Sequence, residues 1–178
     1  MTREDAFYYK NLLMLGFSDE FNEWYNSFLE SEKPLSGIIL DLAGADTAET
    51  ISLLHNYCAE QPFDEAVVCD KIRSFFKESY YSNRMNKEEI VSSMYRLALN
   101  IGDPGDFNID LWGDMYYFED LHSLAKNGII SFESFDSAFF AYLDNGTNVD
   151  LDLLVAKNET NKPSLLKKIK KLFNSKRG

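Results

Sequence analysis

Residues 86–104 read NKEEIVSSMYRLALNIGDP, and this stretch decides the fold class. Asn86 and Glu89 have the spacing of a capping box, in which each side chain satisfies a free backbone N–H at a helix start. Ile90, Met94, Leu97 and Ile101 then recur at steps of three and four residues, the period of one helical face. Gly102 and Pro104 supply the stop.

The same pattern extends in both directions. Upstream, Phe21, Trp24, Tyr25, Phe28 and Leu29 make one apolar stripe, with Ser18 placed to cap it, Asp19 and Glu20 suited to its positive end and Pro34 stopping it. Asp46 and Glu49 predict a second capping box ahead of Ile51, Leu54 and Cys58. Val68, Ile72, Phe75, Phe76 and Ser79 mark a helix opened near Asp64. Downstream, Leu111, Met115, Phe118, Leu121 and Ala125 form a stripe ending at Asn127-Gly128. Ser131 starts another, carrying Phe132, Phe135, Phe139, Tyr142 and Leu143 up to Asn145-Gly146. An earlier helix is expected over about 4–15, and a short one after Pro34. Residues 151–155 are the one candidate strand, short and poorly bounded.

The reading is all-α: an array of about seven to nine antiparallel helices, HEAT-like or a compact bundle, with a basic C-terminal helix. Short linkers favour antiparallel neighbours, and helix pairs of about forty residues match the period of a curved array. We assign residues 1–146 to the helical domain, 147–162 to a connector and 163–178 to a basic amphipathic helix docked on the same domain. Residues 1–162 hold all 29 acids and 12 bases, a net of −17, whereas 163–178 hold six bases and no acid. Leu165, Leu166, Ile169, Leu172 and Phe173 share one face of that last helix. Attraction to the acidic body favours docking over contact with anionic lipid, so no stable membrane association is expected.

Composition narrows the class further. The 178 residues suit one domain, or two small ones, and a net charge of −11 argues against direct nucleic-acid binding. No apolar run reaches the roughly 18–20 residues that span a bilayer. The start, Met1-Thr2-Arg3-Glu4-Asp5, lacks the charged-then-apolar order of a signal peptide, and Cys58 and Cys69 provide no disulfide framework. The expectation is a soluble, globular, cytoplasmic protein.

Catalytic and cofactor chemistry finds little purchase. His55, Cys58 and Cys69 are three candidate zinc ligands on two helices, but each has apolar neighbours, and buried free cysteine behaves as a small hydrophobe. His122 is the other histidine. A calcium loop starting at Asp144 needs Gly at its sixth position and Glu at its twelfth, where this chain has Val149 and Val155. Gly102-Asp103-Pro104-Gly105-Asp106 is acidic where a phosphate would sit. Paired carboxylates for glycoside chemistry carry no specificity among 29 acids. No enzyme activity, no metal and no cofactor are expected.

The informative segment is acidic and aromatic. Residues 103–152 contain eleven acids and one base, Lys126, and residues 107–142 contain ten aromatics. One helical stripe buries about half of these rings. Rings left outside would serve as desolvated anchors for a basic protein, with carboxylates steering and pairing. A well-packed core behind an ordinary acidic face accounts for them equally well. The candidate partner-binding residues are Asp103, Asp106, Asp110, Asp114, Asp120, Asp136 and Asp144, with Trp112, Tyr116 and Tyr117 as ring anchors. Trp112 and Asp114 also fit a role in fixing the start of their helix, because large aromatics there usually pack inward.

Leu111-Trp112-Gly113-Asp114-Met115-Tyr116-Tyr117, followed by Gly128-Ile129-Ile130-Ser131, resembles a pattern in a family of small helical bacterial immunity proteins. Such proteins stand beside polymorphic or contact-dependent growth-inhibition toxins, and the resemblance covers about residues 35–145. It implies a role without catalytic residues: binding a cognate toxin domain in the cytoplasm and blocking it. Because nucleases must attract phosphates, their clefts tend to be basic, and an acidic inhibitor is drawn to the same field. The expected partner is therefore a basic nuclease toxin. The alternative is a helical adaptor or scaffold that takes a peptide or partner in a groove. A nucleic-acid mimic ranks below both, because apolar residues interrupt the acids at helical spacing.

Overall fold

The computed structural model describes residues 1–31, 34–35, 37–101 and 109–146. Among these residues lie eight α-helices and no strand: α1 (Arg3–Leu15), α2 (Ser18–Ser31), α3 (Gly37–Asp41), α4 (Thr47–Ala59), α5 (Glu65–Tyr81), α6 (Lys87–Asn100), α7 (Ile109–Lys126) and α8 (Phe132–Asn145). The chain is all-α. The expected connector, basic C-terminal helix and candidate strand lie outside the described residues.

Local chemistry sets the helix starts. Asn86 accepts from Glu89 N at 3.0 Å, and the Glu89 carboxylate accepts from Asn86 N at 2.8 Å, so the capping box is complete. Thr2 and Asp5 form a second complete box at α1. Asp46 forms only half of the expected one, accepting from Glu49 N at 2.9 Å. Asp64 accepts from Ala66 N and Val67 N to open α5, and Ser131 accepts from Ser134 N to open α8. Gly146, at φ 64°, closes α8 in the left-handed conformation that a side chain would strain.

The chain divides into two units, Met1–Tyr116 and Tyr117–Gly178, with the boundary inside α7. In the first unit α1 is the hub, packing against α2, α4, α5 and α6. Helices distant in sequence meet there, which is the pattern of a bundle; in a HEAT-like array each repeat touches only its neighbours. Two sets of contacts give the directions. Arg3 at the start of α1 lies over the Tyr57 ring, 3.3 Å from its centroid, and pairs with Glu60 at 2.8 Å, so α1 and α4 run antiparallel. Asp64 N donates to Glu4 at 3.2 Å near both helix starts, and Phe17 meets Phe75 at 4.9 Å beyond the end of α1, so α1 and α5 run the same way.

The predicted α5 stripe of Val68, Ile72, Phe75, Phe76 and Ser79 is wholly buried, as are Ile90, Met94 and Leu97 of α6. On α2 only Phe21 is buried, while Trp24, Tyr25, Phe28 and Leu29 are half-buried. In the second unit Phe118 meets Phe135, Phe139 and Tyr142 at 6.4, 5.7 and 5.2 Å, making an aromatic core between the end of α7 and α8.

Lys10, on the hub helix, is only 4% exposed. Its ammonium meets no carboxylate among the described residues and lies 4.3 Å from the Phe7 ring centroid. Burial pushes its pKa below the ordinary lysine range, opposed weakly by the nearby Cys58. Between that lowered value and the unfolded value of about 10.4, the unfolded chain binds more protons, so stability rises with pH across this window. Lys10→Met keeps the stem and deletes the charge; it should stabilise the fold by about 1 kcal/mol near neutral pH. It should also flatten the rise in stability that the buried lysine gives as pH climbs towards its unfolded value of about 10.4. Urea unfolding of both proteins checks this, and identical pH slopes would refute it.

Candidate functional site

The candidate site lies on α7 and α8, and the structure sorts its residues by depth. Asp103 and Asp106 lie outside the described residues. Asp110 falls in the first turn of α7, at the positive end of the helix dipole, and its side chain is not described. Asp114, Asp120 and Asp136 are half-buried, and Asp144 is exposed at the last turn of α8.

The ring anchors need correction. Trp112 is fully buried and Tyr117 is 5% exposed, so neither presents its ring to a partner in this structure. The Trp112 indole N–H donates to Glu65 at 3.0 Å, and its ring meets Phe7 at 6.5 Å, tying the start of α7 into the first unit. The Cys69 thiol adds a weak contact to the Leu111 carbonyl at 3.6 Å. A large aromatic with one polar handle is most stable where the ring is dry and the N–H has an acceptor. Tyr116 is half-buried, with its ring 5.2 Å from that of Tyr95, and alone of the three keeps a partly accessible face.

The stripes predicted on α7 and α8 are largely buried. Met115, Phe118, Leu121 and Ala125 are buried, but Leu111 is only half-buried, because Trp112 takes the inward position at the start of α7. On α8, Phe135, Phe139, Tyr142 and Leu143 are buried, whereas Phe132 is 52% exposed. His122 lies 5.2 Å from the Phe135 ring, at the edge of this aromatic core. The segment thus keeps most of its rings inside and carries Glu119, Glu133 and Asp144 exposed, with Lys126 its one base.

Metal and thiol chemistry can be placed as well. Among the described residues, no group of three or more His, Cys, Asp or Glu is arranged to hold a metal ion. His55 is exposed, while Cys58 and Cys69 are buried free thiols on α4 and α5. Burial pushes the Cys58 thiol up to about 11, which disfavours the thiolate needed for nucleophilic or ligand chemistry. No helix among the described residues is long and apolar enough to cross a membrane.

Trp112→Phe removes the indole N–H and part of the ring while keeping an aromatic. With the Glu65 carboxylate losing its donor, the change should cost about 2 kcal/mol of folding stability. Thermal unfolding measures it, and an unchanged Tm would return Trp112 to the list of surface anchors. Comparison with protein-family models, with curated proteins and with solved structures finds no match in any of the three, so the chemistry of the site rests on its own residues.

Proposed function

We propose that this chain is an immunity protein that captures a cognate toxin domain with a basic, nuclease-type surface and blocks its active cleft. The observation that carries the reading is the division of labour in the acidic segment. Phe118, Phe135, Phe139 and Tyr142 pack inward between α7 and α8, and the exposed carboxylates Glu119, Glu133 and Asp144 stand on the outside of these two helices with a single lysine among them. Carboxylates held in place beforehand lose less entropy on pairing than carboxylates on a loose loop, and their common sign speeds encounter with a basic partner. The resemblance at residues 111–117 and 128–131 points the same way. The reading assigns no catalytic step to the chain and requires no cofactor.

A second reading, a helical adaptor, is favoured by an open groove along α1 and α5 in the first unit. Gene order separates the two: an immunity gene lies directly downstream of a toxin's C-terminal coding region, and an adaptor gene has no such constraint.

Co-expression with the product of the upstream gene should yield a stoichiometric complex and rescue growth. Replacing Glu119 and Glu133 by Gln and Asp144 by Asn should slow association about tenfold at low salt, and much less at high salt. Stopped-flow measurement across a salt series reads this. Tight binding insensitive to salt would remove the electrostatic mechanism, and absence of both complex and rescue would remove the immunity role.

A further inference from the structure

We infer that the groove between α1 and α5 receives basic side chains of a partner polypeptide, with an arginine seated against Tyr8 and Tyr9 at its Glu78 end. The assignment concerns a different surface from the acidic segment of α7 and α8, and it stands whether or not that partner is a toxin.

The groove follows from two helical faces. On α1, Asp5, Tyr8 and Tyr9 share one face, and on α5 the face running from Val67 to Glu78 lies opposite; together they enclose about 480 Å³ open to solvent. The eleven helical rises from Val67 to Glu78 make the groove roughly 16 Å long, enough for two side chains one turn apart on a partner helix.

Its two ends differ in charge. Towards the start of α5, Asp5 is paired with Lys71 at 2.7 Å and Asp70 with Arg73 at 3.0 Å. Towards the end, the exposed Glu78 has no ion-pair partner among the described residues. Glu78 also stands in the last turn of α5, where the partial negative charge of the helix end adds to its own. The Tyr8 and Tyr9 rings meet there nearly at right angles, 4.9 Å apart, and Tyr9 is held by stacking on Trp24 at 4.4 Å.

Burial pushes both phenols upward; at Tyr8 the fields of Tyr9, Glu20 and Glu78 add to it and Arg84, itself paired with Glu20, opposes it, while at Tyr9 Asp5, Glu20 and Glu23 add to it and raise the phenol to about 12, so both stay neutral and protonated. Neutral, fixed rings beside an unneutralised carboxylate are the setting that favours a guanidinium, which stacks on the ring while its N–H groups bond the carboxylate.

The test uses the full-length ¹⁵N-labelled protein and a blocked helical peptide carrying two arginines four residues apart, with a citrulline version as control. At low salt, amide shifts should concentrate on Asp5, Tyr8, Tyr9, Phe75 and Glu78, and the citrulline peptide should produce none. Tyr9→Leu and Glu78→Gln should each weaken binding about fivefold, whereas Glu119→Gln with Glu133→Gln should leave it unchanged. Shifts scattered over the acidic surface, equal weakening by the Glu119 and Glu133 substitutions, or no shift at all would overturn the assignment. So would groove shifts appearing without peptide when the six bases of 163–178 are replaced by Gln, since the chain's own tail would then be the occupant.

Discussion

Helices α2, α4, α5 and α6 pack against α1, Trp112 of α7 meets its Phe7, and much of the first unit depends on how that one helix is enclosed. Ala6 and Leu12 have no exposed surface, and Phe7, Leu13 and Leu15 are buried around them. A helix covered on so many sides cannot leave every polar side chain in water, which accounts for buried Lys10 and Asn11. Asn11 meets part of the demand by donating to the Phe7 carbonyl at 2.8 Å. Lys10 lays its ammonium beside the Phe7 ring, a weaker form of compensation. Hub packing and this electrostatic cost come from the same geometry.

The hub's first turn is tied on several sides. The complete Thr2–Asp5 box fixes its first turn, Arg3 bridges to α4 and Asp5 pairs with Lys71 of α5. These surface pairs are individually weak. Their effect lies in direction: they set α1 antiparallel to α4 and parallel to α5, and the parallel pairing brings the Tyr8–Tyr9 face alongside the Phe75–Glu78 face. The groove is therefore a consequence of hub topology, since neither helix forms it alone.

Much of the fold was legible in the sequence because its signals are local. Capping at Asn86, Asp64 and Ser131, the closing Gly146 and the stripes of α5 and α6 each depend on residues within a few turns of one another. The exceptions share a cause. Tyr117 flanks a stripe and reads as a possible partner contact, whereas Trp112 reads either as an anchor or as a ring packed inward at its helix start; both are buried, because enclosure of a helix on several sides is a tertiary property that periodicity along one helix does not encode. Half-buried Leu111 and exposed Phe132 mark the opposite error, apolar residues at stripe ends that tertiary neighbours do not cover. The groove residues Tyr8, Tyr9 and Glu78 lie on helices whose existence was plain; their juxtaposition was not, because it depends on the relative direction of helices some sixty residues apart in sequence.

Placing the rings of the acidic segment inside changes what its surface can do. Exposed rings among carboxylates would offer adhesive anchors that bind many partners; with most rings buried, the surface of the segment is left to its carboxylates, half-buried Tyr116 and exposed Phe132. Charge alone gives fast association and poor discrimination, since any basic surface attracts it. A chain that relies on it needs a second, geometrically demanding contact to select one basic partner from others. A groove in which fixed tyrosine rings stand beside Glu78, a carboxylate with no ion-pair partner among the described residues, has that character.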